Sequence, residues 1–204
     1  MRERKPMAGT KPRDGQRQRL YDAQRLAGFY SVGETMTIKE AQKFVNQVLS
    51  HKRTRTLFNQ YRFEFSTYPS KILVEAGSGN HATIRTRNWQ TVRLIRLNKW
   101  GRNKFIVLHE IAHHINRGHG HHAWFTSCLL DLVRNVLGKE QADALQGAFH
   151  FTGVKVRGKN GDVKARLPKS RVQWLQETKE RFKKIETGEV KVYEGFDELV
   201  ERSA

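Results

Sequence analysis

Apolar side chains recur at helical intervals through Leu20, Ala23, Ala27 and Tyr30, behind Asp14 as a candidate N-cap, and Gly33 interrupts the pattern. A second helix is marked more firmly, because Thr37 and Glu40 form a capping-box pair ahead of Ile38, Ala41, Val45, Val48 and Leu49 on one face. From residue 61 to 97 the period changes. "YRFEFSTY" alternates, "KILVEAG" is a short apolar run ended by Gly77 and Gly79, and "TVRLIRL" is β-rich, which predicts about three strands of a small sheet. A helix then opens near Asn103 with Phe105, Leu108, Ala112 and Ile115 on one face. The next runs from about His122 to a terminating Gly138, stacking Phe125, Cys128, Leu129, Leu132, Val133 and Val136. A short helix through Ala142, Leu145 and Phe149 follows. "VKVRGKNGDVKAR" reads as a hairpin turning at Asn160-Gly161, and Leu175, Phe182 and Ile185 predict a last helix ending at Gly188.

Length and charge divide this pattern into parts. A chain of 204 residues suits one domain with extensions better than two equal domains. Residues 1–12, with Arg2, Arg4, Lys5 and Lys11 among prolines and glycine, read as a flexible basic arm; residues 13–150 form the domain. Residues 151–204 carry the hairpin, the last helix and a tail in which six acids face Lys191 and Arg202. The single cysteine, Cys128, excludes internal disulfides and a cysteine-rich zinc ribbon. No apolar run reaches the roughly 20 residues that span a bilayer, and the N-terminal stretch lacks the apolar segment of a secretory signal, so a cytoplasmic setting is expected.

Six of the nine histidines fall in "HEIAHHINRGHGHH", residues 109–122. On a helix, His109 and His113 stand one turn apart on the same side, close enough to share a zinc ion. Glu110 lies beside them but off their line, where a carboxylate can take the proton of a water activated by the ion. His114 points about 100° away around the helix and is a poor third ligand. His119 matches the metzincin spacing HExxHxxGxxH, but Asn116 occupies the glycine position and no methionine follows the motif. His121, just ahead of the next amphipathic helix, is favoured as third ligand, with His119 as the alternative; Asp131 is more plausibly a solvated or capping acid.

These residues resemble a known family. "RDGQRQRLYDAQ", "IRLNKWGRNKFIVLHEIAHHI" and "HHAWFTSCLLDLV" look like the metallohydrolases of actinobacteria and their phages, which have no established substrate, over roughly residues 13–150. The motif order is also similar to that of SprT-like zincins, in which HExxH precedes a helix opening with HG and an aromatic four residues beyond that histidine. Here the corresponding residues are His121, His122 and Phe125, so His122 replaces the glycine; aligning His119-Gly120 instead loses the phenylalanine. The resemblance implies zinc, with His109 and His113 as ligands and Glu110 as base.

The net charge of +18 points to a partner of opposite sign rather than a merely solvated basic face; nucleic acid bound through phosphates without sequence readout is the expected one, with an anionic membrane or an acidic protein as the alternatives. Between Ala76 and His109 seven cations and no acid are interleaved with His81, Trp89 and Trp100. The candidate phosphate contacts are Arg85, Arg87, Arg93 and Arg96 in this run, and Lys155, Arg157, Lys164 and Arg166 on the hairpin. The combined expectation is an α+β zincin-like domain acting as a zinc metallohydrolase on protein or peptide, in its sharpest form on nucleic-acid-associated proteins, in the host cytoplasm if phage-encoded. By analogy with zincins, "TVRLIRL" would line the cleft and pair with an extended substrate. The competing expectation is a nucleic-acid-binding or phage structural protein whose zinc only staples two helices.

Overall fold

The computed structural model describes residues 14–30, 35–61, 68–69, 71–78, 83–86, 92–99, 101–116, 120–158 and 161–166. The expected basic arm, last helix and acidic tail lie outside the described residues, as do residues 159–160. Within them the chain is a mixture of helices and small sheets. Helices α1 (Arg17–Leu26), α2 (Ile38–Ser50) and α3 (Lys52–Tyr61) precede strands β1 (Lys71–Ala76), β2 (Thr83–Thr86) and β3 (Val92–Leu97). Then come α4 (Lys104–Ile115), α5 (Ala123–Val136), α6 (Lys139–Thr152), β4 (Lys155–Gly158) and β5 (Gly161–Lys164). No described helix is long and apolar enough to cross a membrane.

The capping signals act where the pattern placed them. Thr37 and Glu40 close a reciprocal capping box on α2, and Asn103 Oδ1 accepts the Ile106 amide at 2.8 Å to start α4. Gly138 (φ 107°) follows α5 and bonds back to the Val133 carbonyl at 3.1 Å. Two details differ at α1. The helix stops at Leu26, not near Gly33, because Gly28 takes φ 78°, a backbone conformation that L side chains resist, and Phe29 N turns back to the Gln24 carbonyl. Its cap position is Gln16, without a side-chain cap bond, and Asp14 is engaged elsewhere.

The sheet also differs from expectation. "YRFEFSTY" does not begin as a strand: Tyr61 ends α3, an unpredicted helix that buries Thr54, Leu57, Phe58 and Tyr61 at helical spacing, and residues 62–67 lie outside the described set. The third strand is Thr83–Thr86. Strand order is β1-β3-β2, with β3 parallel to β1 and antiparallel to β2. Both edges of β3 are therefore occupied, which overturns the idea that "TVRLIRL" pairs with substrate. Gln42 of α2 takes the Ile72 carbonyl (2.9 Å) and the Val74 amide (2.8 Å), covering the far edge of β1. Among the described residues, β2 is the edge left for pairing.

α4 runs through the centre of the core. Phe105 to Ala112 are buried without interruption, as are His114 and Ile115. A helix buried around most of its circumference is enclosed on all sides, and Leu20, Ile95, Phe125, Leu129 and Leu132 are among the fully buried residues of the same cluster. In the hairpin, Gly158 pairs with Gly161, so Gly161, expected at the turn with Asn160, is instead the first residue of β5. This register sets Val156 opposite Val163 on one face, which a one-residue slip would lose.

Candidate metal centre

His109 and His113 on α4 and His121, two residues before α5, bring their Nε2 atoms together. The separations are 3.1 Å (His113 to His109), 3.1 Å (His113 to His121) and 3.3 Å (His121 to His109). Imidazole nitrogens bound about 2.0–2.1 Å from a tetrahedral zinc lie about 3.3–3.4 Å apart, so the triangle fits such an ion. His109 and His121 are buried and His113 is partly so. Phe125 fills the space beneath, its ring centroid 5.0, 4.3 and 5.0 Å from those of His109, His113 and His121.

The protonation states suit ligation. Burial, reinforced by the neighbouring imidazoles, drives His109 well below its ordinary value. Burial and His121 push His113 down to about 3, and burial lowers His121 against the opposing pull of Asp14. All three are neutral at pH 7, with lone pairs to offer.

The other ring nitrogens of His121 and His109 are held by Asp14 and Gln24. Asp14 Oδ2 accepts from His121 Nδ1 and from the His121 backbone amide (3.1 Å), which turns Nε2 toward its partners. The Gln24 amide nitrogen lies 3.0 Å from His109 Nδ1, while Gln24 Oε1 accepts from the Tyr30 hydroxyl. Exchanging the amide oxygen and nitrogen is isosteric and sets a carbonyl against Nδ1–H, the tautomer that frees Nε2 for an ion. Gln16 donates to the His121 carbonyl and accepts the Lys155 amide at 2.9 Å, tying the ligand loop to β4. Tyr21 lies over the triad, 5.4 Å from His121 and 6.2 Å from His109 between ring centroids.

Gly120 explains part of the "HGHH" sequence. A Cβ there would stand 2.9 Å from Asp14 Oδ2 and 3.1 Å from its carboxyl carbon, so the bare backbone is what lets the carboxylate reach His121. Replacing Asp14 by Ala is expected to lower zinc affinity by about 10- to 100-fold, with Asn intermediate, read by titration against a competing chelator.

The remaining candidates sort by position. Glu110 is buried (6% exposed) and is not among the groups that converge on the triad, and its charge is felt by the hydroxyls of Tyr21 and Tyr30. His114 stacks on Phe58 at 6.1 Å, as its angle on the helix requires, and burial alone lowers it to about 4. Asp131 accepts from Tyr61 Oη (2.7 Å) and pairs with Arg134 (2.9 Å), away from the triad. His122 is exposed at the cap of α5, and His119 lies outside the described residues. Asp14, Gln16, Gln24 and Tyr30 were not read as site residues. Gln24 and Tyr21, three apart on α1, present polar atoms on a face otherwise carrying Leu20 and Ala23, a signal visible in hindsight.

The proposed phosphate contacts divide unevenly. Arg93 is 8% exposed within β3, so a guanidinium expected at the surface is enclosed. Arg96 is half-exposed but lies 3.7 Å from Glu75, directly opposite in register. Arg85 lies in β2 and Arg87 is outside the described residues. Lys155, Arg157, Lys164 and Arg166 are all exposed. The chain matches no family model, no characterised protein and no solved structure.

Proposed function

We propose that the protein is a zinc-dependent hydrolase of zincin type, acting on peptide bonds. The observation that carries this reading is the convergence of three histidine Nε2 atoms at 3.1–3.3 Å with a buried glutamate next to the first of them. Three histidines are the protein ligands of one type of catalytic zinc site, and closed structural sites take four protein ligands. A zinc ion bound there would supply Lewis acidity, polarising a carbonyl and lowering the pKa of a water to about 7.

The chain's own residues do the rest. Glu110, one position beyond His109, is suited to take a proton from the attacking water and return it to the leaving amine. Asp14 and Gln24 hold the His121 and His109 rings, so both face the ion without reorganisation. Tyr21 and Phe125 flank the imidazoles and limit water around them. The edge of β2 is where an extended peptide would add a strand, since β3 is paired on both sides and Gln42 covers β1. Charge complementarity makes proteins held on nucleic acid the substrate class that suits a chain of net charge +18.

The test is metal analysis joined to hydrolysis. The purified chain is expected to carry one zinc and to cleave unfolded protein substrates, with activity lost to a chelator and restored by stoichiometric zinc. A zinc-loaded chain that binds ion tightly and cleaves nothing, with or without DNA, would instead favour a zinc that only staples α4 to α5.

A further inference from the structure

The largest exposed aromatic among the described residues stands three positions after His121. Trp124, in the first turn of α5, is 40% exposed, and the Arg157 guanidinium carbon lies 4.9 Å from its ring centroid. Tyr61 meets the same indole edge-on at 5.8 Å. An indole left this open is at odds with the enclosed core around it, where Phe125 is 0% exposed one residue later.

The hairpin carrying Arg157 brings more cations to the same side. Side chains on a strand alternate, so Lys155 and Arg157 share one face of β4, and Lys164 is directly opposite Lys155 in register. Two ammonium groups facing one another across a ladder repel, which a polyanion would relieve. Arg157 is paired in register with Asp162. The surface is fixed to the metal loop: Gln16 bonds both His121 and Lys155, Thr126 Oγ1 donates to the Lys155 carbonyl at 2.6 Å, and Ser127 Oγ accepts the Arg157 amide at 2.8 Å.

We propose that Trp124, Arg157, Lys155 and Lys164 form a docking platform for single-stranded nucleic acid, with a base stacked at Trp124 and phosphates on the hairpin cations. An exposed indole beside spaced cations suits unpaired bases, since stacking tolerates any base and needs no groove. A duplex hides its base faces, and an acidic peptide offers carboxylates but no ring. The platform deepens the proposed function and rests on it only in meaning: a strand lying across Trp124 passes within one turn of α5 from His121, so a protein bound to that strand would be presented to the metal centre.

The test uses the full chain with fluorescein-labelled dT15, a duplex of the same length, and poly-glutamate of matched charge. Trp124→Ala should weaken dT15 binding by about 5- to 100-fold, the range of one lost base stack, while Trp124→Tyr retains most of it and poly-glutamate is little affected. With three to four phosphate contacts, the slope of log K against log salt should be about −2 to −3, and Lys155→Gln with Lys164→Gln should reduce it by about 1.4. Zinc content should be unchanged in all these variants, which shows that they fold. Equal responses of dT15 and poly-glutamate to Trp124→Ala, or a preference for duplex, would overturn the platform. So would dT15 binding that ignores Trp124 in a zinc-replete variant. Zinc-dependent hydrolysis without dT15 binding would sink the platform alone, and dT15 binding through Trp124 without hydrolysis would sink only the enzymatic reading.

Discussion

Replacing Glu110 by Gln is expected to lower hydrolysis by 10²-fold or more while leaving zinc content and fold intact. General-base contributions lie in the range of about 10²–10⁴, and the amide keeps the shape of the carboxylate without its ability to accept a proton. The side chain is buried and does not converge with the three histidines, so losing its charge takes no ligand from the ion. The measurement is turnover on a confirmed protein substrate beside zinc analysis of the same sample. Retained turnover would remove Glu110 from the mechanism, and lost zinc would mean that its charge supports the metal rather than the reaction.

Removing His109 and His113 together should abolish stoichiometric zinc, since one remaining imidazole at His121 cannot hold the ion against water. The stability of the folded domain should register the same loss. Free zinc at about 1,000 times its Kd stabilises a native state by about 4 kcal/mol, which for a domain of this size corresponds to a rise in Tm of roughly 8–16 °C. Wild type should show that rise on zinc addition, and the His109→Ala, His113→Ala double variant should show none. The two rings also pack against Phe125, so the double variant should melt lower than metal-free wild type, through cavity formation rather than metal loss. Comparing the zinc-induced shift, rather than the absolute melting temperatures, separates the two effects.

Much of the site was legible in the sequence because its rules are local. A spacing of four on a helix brings His109 and His113 together whatever the rest of the chain does, and it turns His114 away by the same geometry. His121 could be favoured because it lies just ahead of an amphipathic helix that packs against the helix of His109 and His113. Caps and glycine stops at Thr37, Asn103 and Gly138 are likewise written within four residues of where they act. The extra helix α3 was missed because its apolar positions are few and polar residues surround them; the core, not the local pattern, selects that face.

What the sequence determined by itself was therefore the helix bearing His109, Glu110 and His113, the amphipathic helix behind it, and a net charge of +18. The tertiary structure decided everything that joins distant segments. Asp14 looks like a helix cap from its neighbours alone, and only folding sets it 107 positions away in sequence against His121, beside a glycine that leaves room for it. Gln24 reaches His109 across 85 positions for the same reason. Arg93 and Arg96 are equivalent in a run of cations, yet strand alternation buries one and pairs the other with Glu75. Residue type and spacing specify interactions along one element, whereas the partners of a side chain on another element depend on which surfaces the hydrophobic core brings into contact.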